Sequence, residues 1–304
     1  MAIKFLINGF FRSGTTFLFN QVKEQLPENT CFYEPCYPKL GLIVEHHKQS
    51  EQKTDRLHGS SLWSEYAELL DSDFNNLLRN HPNTKNNGIA NDASLFNYLD
   101  LFNNLDKPLV LQTNRYHMFL GAIQAKYAIP VVHIIRNPID VYFSMIKSYS
   151  KRSVGIKKYI RKVIFPFTSK NYFGQESELN FNIEKLGLPT VFYDNWRFRY
   201  FKKISFKEKV YINWVLGNYA AMTSKDTILI VFYENLIAQT EIESKRISKH
   251  INSNIDIENV KLPQNTYNKS FEIEYFNSII DKYRLKRCLD IIQVEMQAQK
   301  INYF

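Results

Sequence analysis

Short apolar runs, each closed by glycine, asparagine or proline, punctuate a chain of 304 residues that is otherwise rich in polar and charged positions. Residues 3–8, IKFLIN, end at Gly9 and predict a buried parallel strand. From Thr15 onward Phe17, Leu18, Val22 and Leu26 recur at helical spacing, and Pro27 stops the helix. TCFYEP (30–35) predicts a second short strand ending at Glu34 and closed by Pro35. Residues 40–105 carry much Asn, Gln and charge and read as mostly helical. Order returns at PLVLQTN (108–114), a strand followed by a helix to about Tyr127. The clearest strand lies in IPVVHIIRNP (129–138), after which Asn137 caps a helix with Pro138 in its first turn and Asp140 three residues beyond the cap. DTILIVFYENL (226–236) repeats the buried-strand pattern and leads into one long amphipathic helix through about His250. The tail from Phe271 to about Gln299 reads as helical. Strands alternating with helices predict an α/β fold, a three-layer α/β/α sandwich around a central, mostly parallel sheet. One domain over 1–304 is expected, with helical insertions at about 40–105 and 150–205.

Composition narrows the class of partner. With 15% aromatic residues the chain is that of a folded protein, and its formal net charge of +9 suits phosphate-bearing ligands, an anionic membrane face or nucleic acid. No recognised nucleic-acid motif accompanies the charge, so nucleic acid is not expected. Cys31, Cys36 and Cys288 are too few and too scattered for a disulfide framework or a zinc site, and they read as ordinary thiols of a reducing cytoplasm. The start, MAIKFLINGFF, runs straight into a glycine turn without a cleavage pattern and reads as a strand. No stretch approaches the roughly 18 apolar residues of a membrane span.

The chemistry starts in the turn after the first strand. Gly9 and Gly14 have the spacing of the nucleotide-binding pattern G-x-x-x-x-G-K-[ST], but Thr15 and Thr16 stand where Lys and Ser or Thr belong. The cation is Arg12 instead. Backbone amides at a helix N-terminus bind phosphate without any particular side chain, and the hydroxyls of Ser13, Thr15 and Thr16 add hydrogen bonds. The strand VVHII ends in Arg136, where a magnesium-dependent phosphotransferase would place an acid. A loop without its lysine and a strand end without its carboxylate predict an anion held directly by protein charges, with no metal required. Ser144, eight residues beyond Arg136 on the next helix, completes a second oxyanion clamp, separate from the first loop. The ligand then carries phosphate groups at two distant points.

These residues resemble a known family. FFRSGTTFL (10–18) is similar to the 5′-phosphosulfate loop of sulfotransferases that use 3′-phosphoadenosine 5′-phosphosulfate (PAPS), in the form with Arg before Ser-Gly-Thr-Thr that occurs in the bacterial and carbohydrate branches. VVHIIRNPIDVYFSMI (131–146) resembles the 3′-phosphate motif, with Arg136 and Ser144 on its arginine and serine. ILIVFYENLI (228–237) is similar to the late strand that commonly reads Tyr-Glu-Asp-Leu. Phe11 replaces a frequent proline, and no C-terminal Arg-Lys-Gly loop of the cytosolic branch is found. The resemblance implies a P-loop-like sulfotransferase fold and transfer of a sulfuryl group from PAPS to a hydroxyl, leaving 3′,5′-ADP. It also implies a nucleotide site made of Arg12, Ser13, Gly14, Thr15, Thr16, Phe17, Arg136 and Ser144.

Sulfuryl transfer needs a base for the attacking hydroxyl. Glu34, at the C-terminal end of a parallel strand, is the first choice, in a Glu-Pro setting that resembles the glutamate of several carbohydrate and bacterial members. His46 and His47 are its rivals, and Arg12 is the expected electrostatic catalyst. His117 and Arg115 follow TN at the third strand's end and are further cleft candidates, whereas His133 reads as a core residue. Residues 147–170 hold eight lysines or arginines and no acid, interleaved with aromatic and aliphatic residues, and residues 197–209 repeat the flavour. Such segments dock on anionic membrane or grip an acidic glycan. The expected acceptor is therefore a carbohydrate, glycolipid or lipid-linked polysaccharide, and the expected location is cytoplasmic, peripheral at the inner membrane face. The alternatives are a P-loop kinase and a non-catalytic, membrane-associated nucleotide-binding module.

Overall fold

A computed structural model describes residues 2–49, 62–82, 92–150, 174–188, 204–224, 226–258 and 267–304. Five strands, β1 (Ile3–Gly9), β2 (Thr30–Tyr33), β3 (Leu109–Thr113), β4 (Val131–Ile135) and β5 (Leu229–Phe232), form one sheet in the order β2-β3-β1-β4-β5. Every described pairing is parallel. The apolar runs form strands because both faces are covered: β3 and β4 are buried at every position. Helix α1 (Thr15–Gln25) follows β1 and packs against β1, β2 and β3. The chain thus crosses one way from β1 to β2 and the other way from β3 to β4. Right-handed crossovers then send the intervening helices to opposite faces. On the face away from α1, His133 of β4 reaches Asn218 of the helix Phe206–Met222, whose Trp214 ring nitrogen donates to the Arg136 carbonyl at 2.8 Å.

The predicted elements hold, with two breaks that the apolar pattern does not mark. The helix expected after β5 is two, Tyr233–Ala238 and Thr240–Ile251, because Gln239 leaves helical geometry at φ −132°. The tail is also two helices, Lys269–Lys282 and Lys286–Ala298, separated by a turn in which Arg284 is left-handed at φ 54°. The Asn137 cap forms as expected, its Oδ1 accepting from the Ile139 amide at 2.9 Å. Residues 40–105 are helical where described, over Leu40–Gln49, Ser64–Ala67, Asp71–Arg79 and Asp92–Asn103. Most of the two basic segments, 151–170 and 197–203, lies outside the described residues. Among the described residues no helix is long and apolar enough to cross a membrane.

Candidate active site

All five strands deliver residues from their C-terminal ends into one cavity of about 540 Å³. The turn after β1 gives Arg12, Gly14, Thr15 and Thr16, and β2 gives Glu34. The end of β3 gives Asn114 and Arg115, β4 gives Arg136 and β5 gives Tyr233. Phe17 also lines the cavity, as do Tyr33, Tyr37 and Trp63 on the far wall. Open α/β sheets place ligands in this position.

The glycine turn is shaped by contacts that only glycine allows. A Cβ on Gly9 would meet Ser13 Oγ and the Ile134 carbonyl of β4. Gly14 sits at φ 104°, and a Cβ there would run into the Tyr233 ring. That ring lies 4.6 Å from the Arg136 guanidinium, so Tyr233 touches both the loop and the strand-end arginine. The next residue, Glu234, accepts from the Asn137 amide at 3.1 Å and from the Tyr303 hydroxyl, and Asn235 donates to the Gln299 carbonyl. The Tyr-Glu-Asn-Leu segment thereby ties the two phosphate-type motifs to each other and to the chain's last residues.

Two of the three loop hydroxyls are committed elsewhere than expected. Ser13 Oγ is fully buried under the turn and does not line the cavity. Thr15 Oγ1 donates to Asn114 Oδ1 at 2.8 Å, and Thr16 Oγ1 pairs with the Tyr33 hydroxyl at 2.9 Å. What the loop offers is backbone: the amides of Thr15, Thr16 and Phe17 precede the first intrahelical bond, from Leu18 N–H to the Gly14 carbonyl. The loop and the arginine–serine clamp expected to lie apart are in direct contact. Arg12 Nε donates to Ser144 Oγ at 3.1 Å, and Arg136 Nη1 donates to the Arg12 carbonyl at 3.2 Å. β1 and β4 are neighbours in the sheet, so the loop and the arginine–serine pair share one wall. One turn beyond Ser144, Ser148 lines the cavity and is 2% exposed, and its Oγ has no hydrogen-bond partner among the described residues. Arg136 Nε is likewise buried and unpartnered. Sequence reasoning passed over Ser148, although its i+4 spacing from Ser144 was available as a signal.

Glu34 is held from every side. Its Oε1 accepts from Asn114 Nδ2 and its Oε2 pairs with Arg115 Nη1. The Arg115 guanidinium in turn lies 4.9 Å from the Phe11 ring and 5.8 Å from the Tyr37 ring. Three buried tyrosines fix the flanking chain. Tyr66 donates to the Tyr33 carbonyl at 3.0 Å and Tyr98 to the Pro35 carbonyl at 2.8 Å, while the Tyr116 hydroxyl pairs with Cys36 Sγ. Burial pushes the Glu34 carboxyl above its ordinary pKa, while Arg115 and Asn114 pull the other way. Its backbone is left-handed at φ 47°, and Arg12 is left-handed at φ 66°. The four other described non-glycine residues with positive φ, Ala128, Asn252, Arg284 and Lys300, all follow helix ends, where this conformation is usual. Arg12 and Glu34 have no such local reason, and strain of this kind collects at functional sites.

The histidines do not reach the cavity. His46 and His47 sit on the helix Leu40–Gln49, which turns Ile43 inward; His46 is exposed, His47 half-buried, and neither lines the wall. The rivals to Glu34 are corrected on that ground. His117 is also removed as a cleft residue: it is buried against the central strand β1, its Nδ1 3.0 Å from Asn8 Oδ1 and its Nε2 3.5 Å from Glu178 Oε1. Burial lowers the pKa of His117 and of the core residue His133 to about 3 and raises that of Glu178 to about 8.

A parallel sheet whose strand ends bring a glycine turn, two arginines and a carboxylate to one cavity is an α/β fold of the P-loop-like class. The family described as sulfotransferase domain matches residues 2–288, and the chain belongs to that family. An uncharacterised protein of Archaeoglobus fulgidus is 28% identical over 277 residues, covering 86% of this chain and 87% of that one. Among solved structures, a sulfotransferase from Alicyclobacillus acidocaldarius is similar over 93% of this chain and 94% of its own, at 11% identity and a TM-score of 0.42. The sulfotransferase domain of the Synechococcus PCC 7002 olefin synthase is similar over 84% of this chain and 74% of its own, at 14% identity and a TM-score of 0.37.

Proposed function

We propose that this sulfotransferase moves a sulfuryl group from PAPS to a hydroxyl, with the whole chain acting as one domain of the bacterial and carbohydrate type. The observation that carries this reading is the single cavity lined by the loop after β1, Arg136 and Glu34. The residues present fit a nucleotide with two phosphate positions. The open amides of α1 suit the 5′ group, and Arg136 Nε and Ser148 Oγ, buried without partners among the described residues, suit a second oxyanion. When bound, PAPS supplies the sulfuryl group, and its phosphate oxygen leaves as part of 3′,5′-ADP.

Glu34 accepts the proton of the acceptor hydroxyl as the new oxygen–sulfur bond forms and the bond to the phosphate oxygen breaks. Arg12 and the α1 amides meet the charge that develops on the departing phosphate. Arg136, with Ser144 and Ser148, fixes the 3′-phosphate, and Phe17 bounds the nucleotide. Asn114 and Arg115 hold the Glu34 carboxylate at the cavity wall. The acceptor is a carbohydrate, glycolipid or lipid-linked polysaccharide, met through the segments around 40–105 and 150–205. The basic residues of 147–170 bring the enzyme to an anionic membrane at the cytoplasmic face.

Calorimetric titration with 3′,5′-ADP, with 5′-AMP and Mg-ATP as controls, tests the donor. Tight binding of 3′,5′-ADP that is independent of magnesium is expected. Preference for Mg-ATP would overturn the reading in favour of a kinase.

A further inference from the structure

The Thr15 side chain is buried at the first turn of α1, and its hydroxyl donates to Asn114 Oδ1. Gln112 Nε2 donates to the same oxygen at 3.2 Å. Two donors on that oxygen leave the amide one orientation, with its nitrogen facing Glu34 Oε1, to which it donates. A hydroxyl, an amide and a carboxylate thus stand in series between the donor loop and the residue read above as the base. All three side chains line the cavity, and Asn114 is 7% exposed, so water does not compete freely for these bonds. The groups around Glu34 are Arg115, which favours its ionised form, and Glu178 on the helix Gln175–Lys185, which opposes it. The Cys36 thiol and Tyr66 phenol stay neutral because burial pushes both up.

We propose that Asn114 is a positioning residue for Glu34, and that the Thr15 hydroxyl serves this amide and not the phosphates of the donor nucleotide. The inference rests on the reading of Glu34 as the base. The loop keeps its backbone amides for the phosphate, so the two tasks of Thr15 divide between its main chain and its side chain. Replacing Asn114 by Asp sets a second carboxylate against Glu34. Replacing Thr15 by Val keeps the shape and the amide but leaves Gln112 as the one donor that holds the Asn114 oxygen, so the amide's grip on Glu34 weakens. Both changes disfavour the ionised carboxylate, the first more strongly.

The test measures proton uptake on binding 3′,5′-ADP, by calorimetry in buffers of different ionisation enthalpy across pH 5–9. The full-length wild type is compared with E34Q, N114D and T15V. A phosphate dianion arriving beside Glu34 raises its pKa, so the wild type takes up protons that E34Q does not. N114D is expected to move the uptake midpoint up by about one pH unit or more, and T15V to move it less in the same direction. Above the midpoint, T15V binds 3′,5′-ADP within about threefold of the wild type, because the amides of α1 remain. A larger loss of affinity in T15V with an unmoved uptake curve would show that the hydroxyl serves the phosphate, and would overturn the proposal. An unmoved curve in N114D, or uptake unchanged in E34Q, would overturn it as well. Failure of the wild type to bind 3′,5′-ADP is a different result, which withdraws the donor reading and this inference with it.

Discussion

The two ends of the cavity are built on opposite principles. At the Glu34 end both carboxylate oxygens are engaged and three tyrosines clamp the flanking residues. At the Arg136 end, a guanidinium nitrogen and the Ser148 hydroxyl are buried with no partner among the described residues. An engaged carboxylate is fixed in advance, whereas a buried donor without a partner carries a desolvation cost that a ligand relieves. On the proposed function, one end positions the group that reacts and the other receives the group that binds.

The largest expected effect breaks the positioned end. Replacing Glu34 by Gln should lower the turnover of PAPS by about 10²–10⁴-fold while leaving 3′,5′-ADP affinity near the wild-type value. The base works ionised, so the wild-type rate should fall as pH drops through its pKa. Burial raises that pKa, which places the acid limb above the range of an ordinary carboxylate. The limb should vanish in E34Q, and a rate–pH profile of both proteins checks this. A full-rate E34Q enzyme would move the base elsewhere. Next in size, Arg136→Ala breaks the receiving end. It should cost about 2–5 kcal/mol in 3′,5′-ADP binding and far less with 5′-AMP, read by titration with each. Equal losses for both nucleotides would refute the assignment of Arg136 to the second phosphate. The smallest effect sharpens the contrast. Ser148→Ala should weaken 3′,5′-ADP by about 0.5–1.5 kcal/mol yet leave the free protein as stable or more so, since an unpartnered buried hydroxyl is removed. Thermal unfolding with and without nucleotide separates the two signs, and a destabilised free protein would show that Ser148 serves the fold.

What was legible in the sequence follows from the same physics. Parallel strands buried on both faces read as unbroken apolar runs, so β1, β4 and β5 announced themselves, and the strand-end rule then located Glu34 and Arg136. The order of strands was not legible. Without it Arg12 and Ser144 seemed to belong to different clamps, although neighbouring strands bring them to 3.1 Å. Gln239 and Arg284 break helices without the glycine or proline that normally signals a break. Asn114 was hidden for a further reason: an asparagine at a strand end is commonplace, and only the three-way contact with Thr15, Gln112 and Glu34 distinguishes it.

The packing of Tyr233 on Gly14 joins residues more than two hundred positions apart, and Glu234 closes the same region with Tyr303. During synthesis at about 5–20 residues per second, the loop after β1 leaves the ribosome many seconds before its last supports exist. Until then the turn at Gly14 has no ring to rest on, and the Asn137 amide has no carboxylate. The proposed nucleotide site is therefore among the last parts of the molecule to mature, although its sequence signature is among the first to be translated.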